Sequence, residues 1–231
     1  MKPNKQKILT LLSVMALTLS SAAQATLFSR GTDMVYDDVL DVTWLKDANY
    51  AQTSGHDVDG RMNWAAANAW AGGLTVGGYT DWRLTDVKPV NNTAFNDAFS
   101  YNGSTDIGYN NNSTQSEMGY MFFQNLGNLS VFNTSGVLRS GSSGVDWGVT
   151  NTGLFDNLQN FVYWSAVEYA PNTLNAWGFN TNFGFQHNDP KGHEFYAWAV
   201  RSGDVTVVPV PAAVWFMGSA LFGLVGFARK R

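Results

Sequence analysis

Aromatic rings and side-chain amides are concentrated in the last third of the chain, and together they have the chemistry of a sugar-binding surface. Aromatic faces stack on the apolar faces of sugar rings, while asparagine and glutamine side chains hydrogen-bond to hydroxyl groups. The alternative is a core position, which we expect for about two-thirds of the rings because alternate side chains of a strand face opposite ways. The residues predicted to contact a glycan are Trp164, Trp177, Asn180, Asn182, Gln186 and Trp198.

Ionisable groups at short spacing occur in two further segments, and each has a metal-binding and a structural interpretation. Asp57 and Asp59 stand in HDVDG, where alternating carboxylates suggest calcium. The pattern is far short of a calcium-loop motif, and an Asx turn is the commoner outcome. His187, His193 and Glu194 also lie close together, yet HEFYA lacks the second histidine of the zinc-protease motif. We predict no cofactor, with calcium at the two aspartates as the metal alternative.

Two arginines in apolar surroundings, Arg83 and Arg201, are predicted to be structural. A guanidinium of this kind either anchors a ligand or pairs with a carboxylate inside the fold, and the apolar neighbours Trp82 and Leu84 favour the pairing for Arg83. No strained G-x-S-x-G turn of a hydrolase occurs in the sequence. Carboxylates are plentiful, but no spacing selects a pair for glycoside hydrolysis. The sequence therefore favours a non-enzymatic protein, with a hydrolase as a minor alternative.

The elements that must position these residues follow from local patterns. β-Prone runs at 34–36 and 42–45 flank a turn of two aspartates and predict a hairpin. MNWAAANAWAGGL predicts a helix capped by Asn63 and ended by Gly72, and SEMGYMFFQNLG predicts a second helix capped by Ser116. The residues predicted to line the buried face of this second helix are Met118, Met121, Phe122 and Leu126. Because strand-like segments fill the last third, we predict a single α+β domain with two or more helices and an antiparallel sheet.

Charge and cysteine content narrow the classes of function. The chain has 231 residues and no cysteine, so neither disulfide bonds nor thiol chemistry are available to it. Six of the 14 basic side chains lie in the two end segments and none of the 18 acidic ones does, which leaves residues 26–204 with 8 basic and 18 acidic groups and a net charge of −10. This charge predicts no nucleic-acid partner, because nucleic-acid binding depends on neutralising phosphates. It disfavours sulfated polysaccharides for the same reason.

The beginning of the chain has the three parts of a secretory signal peptide. Lys2, Lys5 and Lys7 precede an apolar run of about a dozen residues, which is short of the roughly 20 that span a membrane as a helix. The small residues Ala23 and Ala25 stand where a signal peptidase reads the chain, so we predict cleavage after Ala25. The predicted organisation is a signal peptide over 1–25, one exported domain over 26–204 and a sorting tail over 205–231.

The end of the chain predicts a membrane segment. Residues 212–228 contain no charge, and Arg229, Lys230 and Arg231 follow, which should stay in the cytoplasm. A helix over this stretch reaches about 25 Å at 1.5 Å per residue, close to the thickness of a hydrocarbon core. A buried helix of a soluble domain would usually keep a polar face. A transmembrane helix is therefore the favoured interpretation.

A proline motif precedes this predicted helix and consists of Val208, Pro209, Val210, Pro211 and Ala212. It resembles the PEP-CTERM sorting signals of exopolysaccharide-producing bacteria, in the VPLPA variant with a Val-Pro-Leu-Pro-Ala core, although no glutamate stands between the prolines. The resemblance implies recognition by an exosortase, a membrane transpeptidase thought to cut near the motif. The tail is then either a temporary membrane handle or a permanent anchor, and both interpretations stay open.

The middle of the chain carries an ordered set of short aromatic motifs, namely VTWLKDAN, MNWAAANAWAGGL, GGYTDWRL, VYWSAVEY and AWAVRSGD. In this order they resemble the Lcl-type C-terminal domain family, long a domain of unknown function, over nearly all of residues 34–204. Members of that family are exported bacterial proteins, one of them a polysaccharide-binding adhesin. One departure is the segment 85–89 after DWRL, where the family usually continues with Pro-Thr and an acidic residue.

A more distant likeness concerns the fold. The layout of an early Trp- and Ala-bearing helix, a DWRL-like strand and a closing aromatic sheet is similar to the C-type-lectin and sulfatase-modifying-factor folds. The sulfatase-modifying oxidases depend on cysteines, which this chain lacks. The resemblance therefore implies a lectin-like domain without that activity.

Together these observations predict an exported, non-catalytic surface or biofilm-matrix protein that binds a neutral or weakly charged glycan such as an exopolysaccharide. The C-terminal helix would hold the protein in the inner membrane until an exosortase sorts it to the cell surface or the extracellular matrix. The alternative is a structural matrix protein that acts through protein contacts or self-association, since an acidic, asparagine-rich surface fits that function equally well.

Overall fold

The computed structural model describes residues 26–205. The predicted cleavage site at Ala23 and Ala25, the proline motif at 208–212 and the predicted C-terminal transmembrane helix lie outside the described residues. Between residues 26 and 205, no helix has the length and apolar character needed to cross a membrane. The described chain is a small domain of two β-sheets with few helices, so the coarse α+β prediction is confirmed.

Twelve strands and three α-helices follow one another along the described residues. The strands are β1 (Leu27–Arg30), β2 (Met34–Asp37), β3 (Val42–Leu45), β4 (Arg61–Met62), β5 (Arg83–Leu84), β6 (Phe99–Ser100), β7 (Ile107–Tyr109), β8 (Val162–Glu168), β9 (Asn175–Asn180), β10 (Phe185–Pro190), β11 (Phe195–Tyr196) and β12 (Ala199–Ser202). The helices are α1 (Tyr50–Thr53), α2 (Trp64–Gly72) and α3 (Glu117–Tyr120), and α3 continues as a π-helical segment over Met121–Asn125.

The smaller sheet has five strands in the order β1-β2-β3-β12-β5, and all of its neighbours are antiparallel. The predicted hairpin is confirmed as β2 and β3, with Met34 opposite Leu45. Strand β12 lies beside β3, with Val200 opposite Trp44. Strand β12, the last strand of the domain, therefore pairs with the hairpin β2-β3. This pairing brings the two ends of the described chain together in one sheet.

The larger sheet has seven strands in the order β4-β11-β8-β9-β10-β7-β6. Its centre, β8-β9-β10, is antiparallel, but β11 runs parallel to β8 and β6 runs parallel to β7. The prediction of one antiparallel sheet is therefore wrong in two respects, the number of sheets and the strand directions. Each parallel pair contains a two-residue strand, β11 or β6, and neither pair is closed by a two-residue turn: β9 and β10 separate β8 from β11, and residues 101–106 separate β6 from β7. The antiparallel pairing that a tight hairpin imposes therefore does not apply to them.

Helix α2 forms where its cap and apolar spacing predicted it. The side chain of Asn63 accepts a hydrogen bond from the backbone N–H of Ala66 at 3.0 Å and so caps the helix. Ala67 and Ala71 are fully buried, as their spacing predicted. Trp70, which falls outside the predicted stripe, is also buried at 4% exposure. The small alanines let this helix approach the rest of the core closely.

Helix α3 begins at the predicted cap, where the Ser116 hydroxyl accepts from the backbone N–H of Gly119 at 3.1 Å. The four predicted face residues, Met118, Met121, Phe122 and Leu126, are all buried. The helix widens into the π-helical segment halfway along and ends at Gly127, whose φ is +66°. A left-handed residue at this position is a common helix ending and favours glycine.

The core is one cluster that draws on both sheets and on α2 and α3. At its centre the rings of Trp44 and Trp198 lie 4.6 Å apart, and Phe155 meets Trp198 edge-on at 4.8 Å. Tyr163 is fully buried beside them, and this burial raises the pKa of its hydroxyl far above the ordinary value. Large aromatic side chains thus supply the burial that a domain without disulfides requires.

Candidate functional site

The three tryptophans predicted to contact a glycan are core residues. Trp164, Trp177 and Trp198 are 0%, 0% and 1% exposed. The indole Nε1 of Trp164 donates to the carbonyl of Met62 at 2.9 Å, and that of Trp198 donates to the carbonyl of Leu45 at 2.7 Å. The prediction is corrected for these three residues, because an indole enclosed on both faces offers no surface to a sugar ring.

The three predicted amides divide between core and surface. Gln186 is buried and donates from Nε2 to the carbonyl of Asp106 at 2.8 Å, so it joins β10 to a loop and leaves the predicted site. Asn180 and Asn182 are half-buried at the turn after β9. The Oδ1 of Asn180 accepts from the backbone N–H of Asn182 at 3.0 Å, and the Oδ1 of Asn182 accepts from the hydroxyl of Ser143. These two asparagines remain available at the surface.

A cluster of rings in mutual contact, some parallel and others tilted or edge-on, lies at the β6-β7-β10 end of the larger sheet. We call it the aromatic ladder, and its members are Phe99, Tyr101, Tyr109, Phe132, Phe185 and His187. The ring of Tyr109 lies 4.7 Å from that of Phe185 and 4.9 Å from that of Phe132. Tyr101 is parallel to Tyr109 at 5.8 Å, and His187 is parallel to Phe185 at 5.0 Å. Four chain segments thus meet in one continuous aromatic surface.

The outer rings of the ladder are open to solvent. Phe99 is 51% exposed and Tyr101 is 38% exposed, and they meet edge-on at 4.9 Å. Tyr109 and Phe185 are half-buried beneath them. Burial raises the pKa of the Tyr109 hydroxyl, which therefore stays neutral and keeps its proton for hydrogen bonding. An exposed ring supported from below by other rings is a rigid apolar platform with little side-chain entropy to lose on binding.

The backbone of β7 holds the ladder together. Strand β7 places Tyr109 directly opposite Phe185 of β10. On its other side, Gly108 lies beside Ser100 of β6. Gly108 has φ +144°, and a Cβ there would lie 2.0 Å from the carbonyl oxygen of Ser100. Only glycine permits this approach, so it fixes the distance between the rings of β6 and β7.

A buried carboxylate fixes the long loop before β6. Asp106 is fully buried, and its two oxygens accept the backbone N–H groups of Val90 at 2.8 Å and Asn96 at 2.7 Å. Backbone donors of this kind replace the water that the carboxylate loses on burial. The loop that leads into Phe99 is therefore tied to the sheet at both ends.

Side-chain amides accompany the rings of the ladder. Asn110 donates from Nδ2 to the backbone carbonyls of Tyr101 at 2.7 Å and Phe132 at 3.0 Å, which joins two ladder segments. Asn180 lies directly opposite Phe185 in the β9-β10 register and so shares its face of the sheet. Polar groups beside an apolar platform are the arrangement that carbohydrate recognition requires.

One end of the ladder carries a cluster of ionisable groups. Nδ1 of His187 lies 2.7 Å from Asp189, and Nδ1 of His193 lies 3.2 Å from the other oxygen of the same carboxylate. Burial opposes ionisation of Asp189, but the hydrogen bonds from the two histidines hold the pKa of this carboxyl below its ordinary value. Glu194 is exposed and lies outside the cluster. Within residues 26–205, no three His, Cys, Asp or Glu side chains are grouped so as to hold a metal ion.

The two aspartates considered for calcium belong to a turn. Oδ1 of Asp57 accepts the backbone N–H groups of Asp59 at 3.0 Å and Gly60 at 2.8 Å, which is an Asx turn. Asp59 pairs with Arg61, whose hydrogen bonds lower the pKa of the Asp59 carboxyl. The structural interpretation of these residues is confirmed, since their oxygens serve the loop itself.

Both arginines predicted to be structural are paired. Arg83 makes two parallel hydrogen bonds to Glu117, at 2.8 and 2.7 Å. Arg201 pairs with Asp81 at 2.8 Å and stacks on the ring of Tyr79, with 4.1 Å between the guanidinium carbon and the ring centroid. The Arg83 pair therefore links β5 to α3, and the Arg201 pair links β12 to the segment that precedes β5.

Most residues of the ladder carry no sequence pattern that identifies them as a site. Phe99, Tyr101, Tyr109 and Phe132 lie on very short strands or in loops, where no periodicity marks an exposed face. The available signal was the presence of several rings in the asparagine-rich tract from residue 91 to residue 115, a region poor in charge. Aromatic residues in such a polar loop are expected either to pack against one another or to bind a ligand. Here the rings pack against one another, and the outer ones are also exposed enough to contact a ligand.

Comparisons with known proteins point to one family. The family model described as the Lcl C-terminal domain matches residues 33–201, which covers the ladder, the larger sheet and the smaller sheet apart from β1 and the last residue of β12. No curated protein and no solved structure matches the chain. The match extends over more than half of the chain and agrees with the ordered motifs from VTWLKDAN to AWAVRSGD. The chain therefore belongs to the Lcl C-terminal domain family.

Proposed function

We propose that this protein is an exported, non-catalytic glycan-binding protein and that the aromatic ladder is its binding surface. The observation that carries the proposal is the pair of exposed rings, Phe99 and Tyr101, mounted on a rigid stack of further rings. The exposed parts of these two rings can contact the apolar faces of sugar rings, and the neighbouring Asn180 can bond to hydroxyl groups. The ladder replaces the buried tryptophans as the sugar-contacting set.

The class of glycan follows from charge. The domain carries a net charge of −10, and neither arginine nor lysine belongs to the ladder. A sulfated or strongly anionic polymer would be repelled by such a domain. A neutral or weakly charged polysaccharide binds by stacking and hydrogen bonding and has no such penalty. An exopolysaccharide of this kind is the proposed ligand.

The two ends of the chain support the proposed location. The signal peptide with Ala23 and Ala25 would direct export, and the apolar tail with its proline motif at 208–212 would hold the protein in the inner membrane for an exosortase of the PEP-CTERM system. The protein would then reach the cell surface or the extracellular matrix, where polysaccharide is present. A distant relation to C-type lectins belongs to the same proposal and is supported by the order of the aromatic motifs.

Affinity electrophoresis of the protein in gels containing neutral or anionic exopolysaccharides tests the proposal. We expect retardation by a neutral polymer and loss of most of it in Phe99→Ala and Tyr101→Ala, about tenfold or more in affinity, because exposed aromatic anchors dominate such contacts. Leu174→Ala is the matched control, since Leu174 is 76% exposed in a turn outside the ladder. Unchanged retardation in both ladder variants would refute the ladder as the site, and release of sugar during the assay would indicate a hydrolase instead.

A further inference from the structure

A second surface of interest is an open groove on the segment between residues 129 and 148. Its volume is about 430 Å³, and its lining residues are Leu129, Asn133, Leu138, Arg139, Ser140 and Asp146. None of these residues belongs to the aromatic ladder. The groove is therefore a surface separate from the proposed glycan site.

The segment that carries the groove exposes four aliphatic side chains, and two of them, Leu129 and Leu138, line the groove itself. Leu129 is 44% exposed, Val137 58%, Leu138 62% and Val145 72%. Four large aliphatic side chains within one short segment are more than isolated surface residues, and clusters of this kind mark interaction sites. Branched aliphatic chains offer no flat face to a sugar, so the chemistry favours a protein partner.

Two opposite charges, Arg139 and Asp146, line this groove. Arg139 donates from Nε to the carbonyl of Ser130 at 2.9 Å, and Asp146 accepts the backbone N–H of Ser142 at 2.9 Å. In the described part of the chain, neither residue takes part in an ion pair. The groove thus presents one cation and one anion, each held by a backbone hydrogen bond and each still able to accept a charged partner.

The segment is rigid enough to present these charges in a fixed arrangement. Asn133 accepts the backbone N–H groups of Ser135 at 3.0 Å and Val137 at 2.9 Å and closes the loop that carries Leu138. At Gly141 a Cβ would lie 2.0 Å from Oδ2 of Asp146, and φ is +112°. The backbone at this glycine is therefore shaped around the carboxylate, which keeps its position.

We propose that the groove binds the same groove of a second copy of this chain, so that Arg139 of each copy pairs with Asp146 of the other. A twofold contact requires a surface that complements itself, and a surface with one cation, one anion and two exposed leucines does so. The net charge of −10 makes two copies repel in most orientations. The crossed Arg139–Asp146 pairs therefore select the orientation, and burial of Leu129 and Leu138 adds an apolar contribution.

This contact is independent of glycan binding but adds to it. The loop that carries the groove touches the ladder, because the ring of Tyr101 packs against Gly136, where an added Cβ would lie 2.9 Å from Cδ2. A dimer would present two ladders on one particle. Two linked sites bind a repeating polymer more tightly than one, with no new contact to the sugar.

The absence of cysteine makes a direct test possible in the full-length chain, since a single introduced cysteine is the only thiol. Ser140→Cys places it in the groove, and Ser29→Cys places it at an exposed position of β1 as the control. A short bismaleimide cross-linker is added to membranes that contain each variant. We expect a covalent dimer for Ser140→Cys and little or none for Ser29→Cys. No dimer at Ser140, or equal dimer at both positions, would overturn the proposal.

Charge reversal then tests the crossed pairs. In the Ser140→Cys background, Arg139→Asp and Asp146→Arg should each lower the dimer fraction about tenfold, because like charges would face each other across the axis. A mixture of the two reversed chains should recover it, since every crossed pair is again attractive. Arg139→Gln is a milder variant and should give an intermediate fraction. If the covalent dimer persists in both single charge reversals, or if the mixture does not restore the dimer fraction, the crossed pairing is refuted.

Discussion

Asp37 and Asn125 form a partly buried hydrogen bond across 88 residues of sequence, with 2.5 Å between Oδ2 of Asp37 and Nδ2 of Asn125. Asp37 ends β2 and is 0% exposed, and Asn125 ends the π-helical segment. The other oxygen of Asp37 accepts the backbone N–H groups of Val39 and Leu40, both at 3.0 Å. Burial outweighs these hydrogen bonds and raises the pKa of the Asp37 carboxyl above its ordinary value. The hairpin β2-β3 and the π-helical continuation of α3 are therefore coupled through one titratable group.

The first prediction concerns this group and pH. Because the folded protein holds the Asp37 proton more tightly than the unfolded chain does, its contribution to the free energy of unfolding is fully present below the unfolded pKa of about 3.9 and is lost as pH rises through the raised folded pKa. Asp37→Asn has no proton to lose and should remove this decline. After the side-chain amide of Asn125 turns over, the new amide can also donate to its Oδ1, an atom that is buried and has no hydrogen-bond partner among the described residues.

Urea unfolding between pH 4 and pH 7 measures this effect. The difference in free energy of unfolding between Asp37→Asn and wild type should move in favour of the variant as pH rises. Asp33→Asn is the control, since Asp33 is exposed, and it should show no such trend. Parallel curves for wild type and Asp37→Asn would contradict the coupling.

The second prediction concerns the Arg83–Glu117 pair. Glu117→Gln should lower the free energy of unfolding by about 2–4 kcal/mol, because it leaves a half-buried guanidinium without its bidentate partner. Asp156→Asn breaks the exposed pair with Lys46 and should cost no more than about 0.5 kcal/mol. Chemical unfolding of both variants measures the contrast. Equal losses would show that burial does not separate these two pairs.

The third prediction separates stability from binding. Trp198→Phe removes a buried indole and its hydrogen bond to Leu45, so it should cost about 2–4 kcal/mol of stability and leave the glycan affinity of the folded fraction unchanged. Phe99→Ala should do the opposite, with a stability change within about 1 kcal/mol and most of the affinity lost. Thermal unfolding and affinity electrophoresis on the same preparations give both quantities. If Trp198→Phe folds but no longer binds the glycan, Trp198 takes part in binding and the assignment of the site to the ladder is wrong.

The fourth prediction concerns the spacing of the ladder. Gly108→Ala should separate β6 from β7, because its Cβ would lie 2.0 Å from the carbonyl of Ser100 on a backbone with φ +144°. We expect faster hydrogen exchange in β6 and β7 and weaker glycan binding. Gly192→Ala is the control, since no atom lies within 4 Å of its added Cβ. Unchanged exchange in Gly108→Ala would show that the strands tolerate a wider spacing.

The elements that the sequence predicted correctly are local ones. Helix α2 depends on the cap at Asn63 and on alanines spaced along one face, and helix α3 depends on the cap at Ser116 and a run of apolar residues. The hairpin β2-β3 depends on two β-prone runs beside a turn. Each signal lies within about a dozen residues, so the chain encodes it without reference to the rest of the fold.

The sheet arrangement needed contacts that no local pattern contains. The pairing of β12 with β3 places Val200 opposite Trp44, more than 150 residues away in the sequence. The parallel pairing of β6 with β7 consists of only two residue pairs. Short strands carry too few side chains to show a period, and their partners are chosen by packing. This explains why one antiparallel sheet was predicted where two sheets form.

The sequence by itself determined the composition of this protein's surface and core: abundant rings, abundant amides, a net charge of −10 over residues 26–204 and no cysteine. Only the tertiary structure decided which rings are buried and which are exposed. Trp164, Trp177 and Trp198 face the core, whereas Phe99 and Tyr101 face solvent. The physical reason is that the exposure of an aromatic side chain depends on what packs over it from distant parts of the chain, and its identity alone does not encode that neighbour.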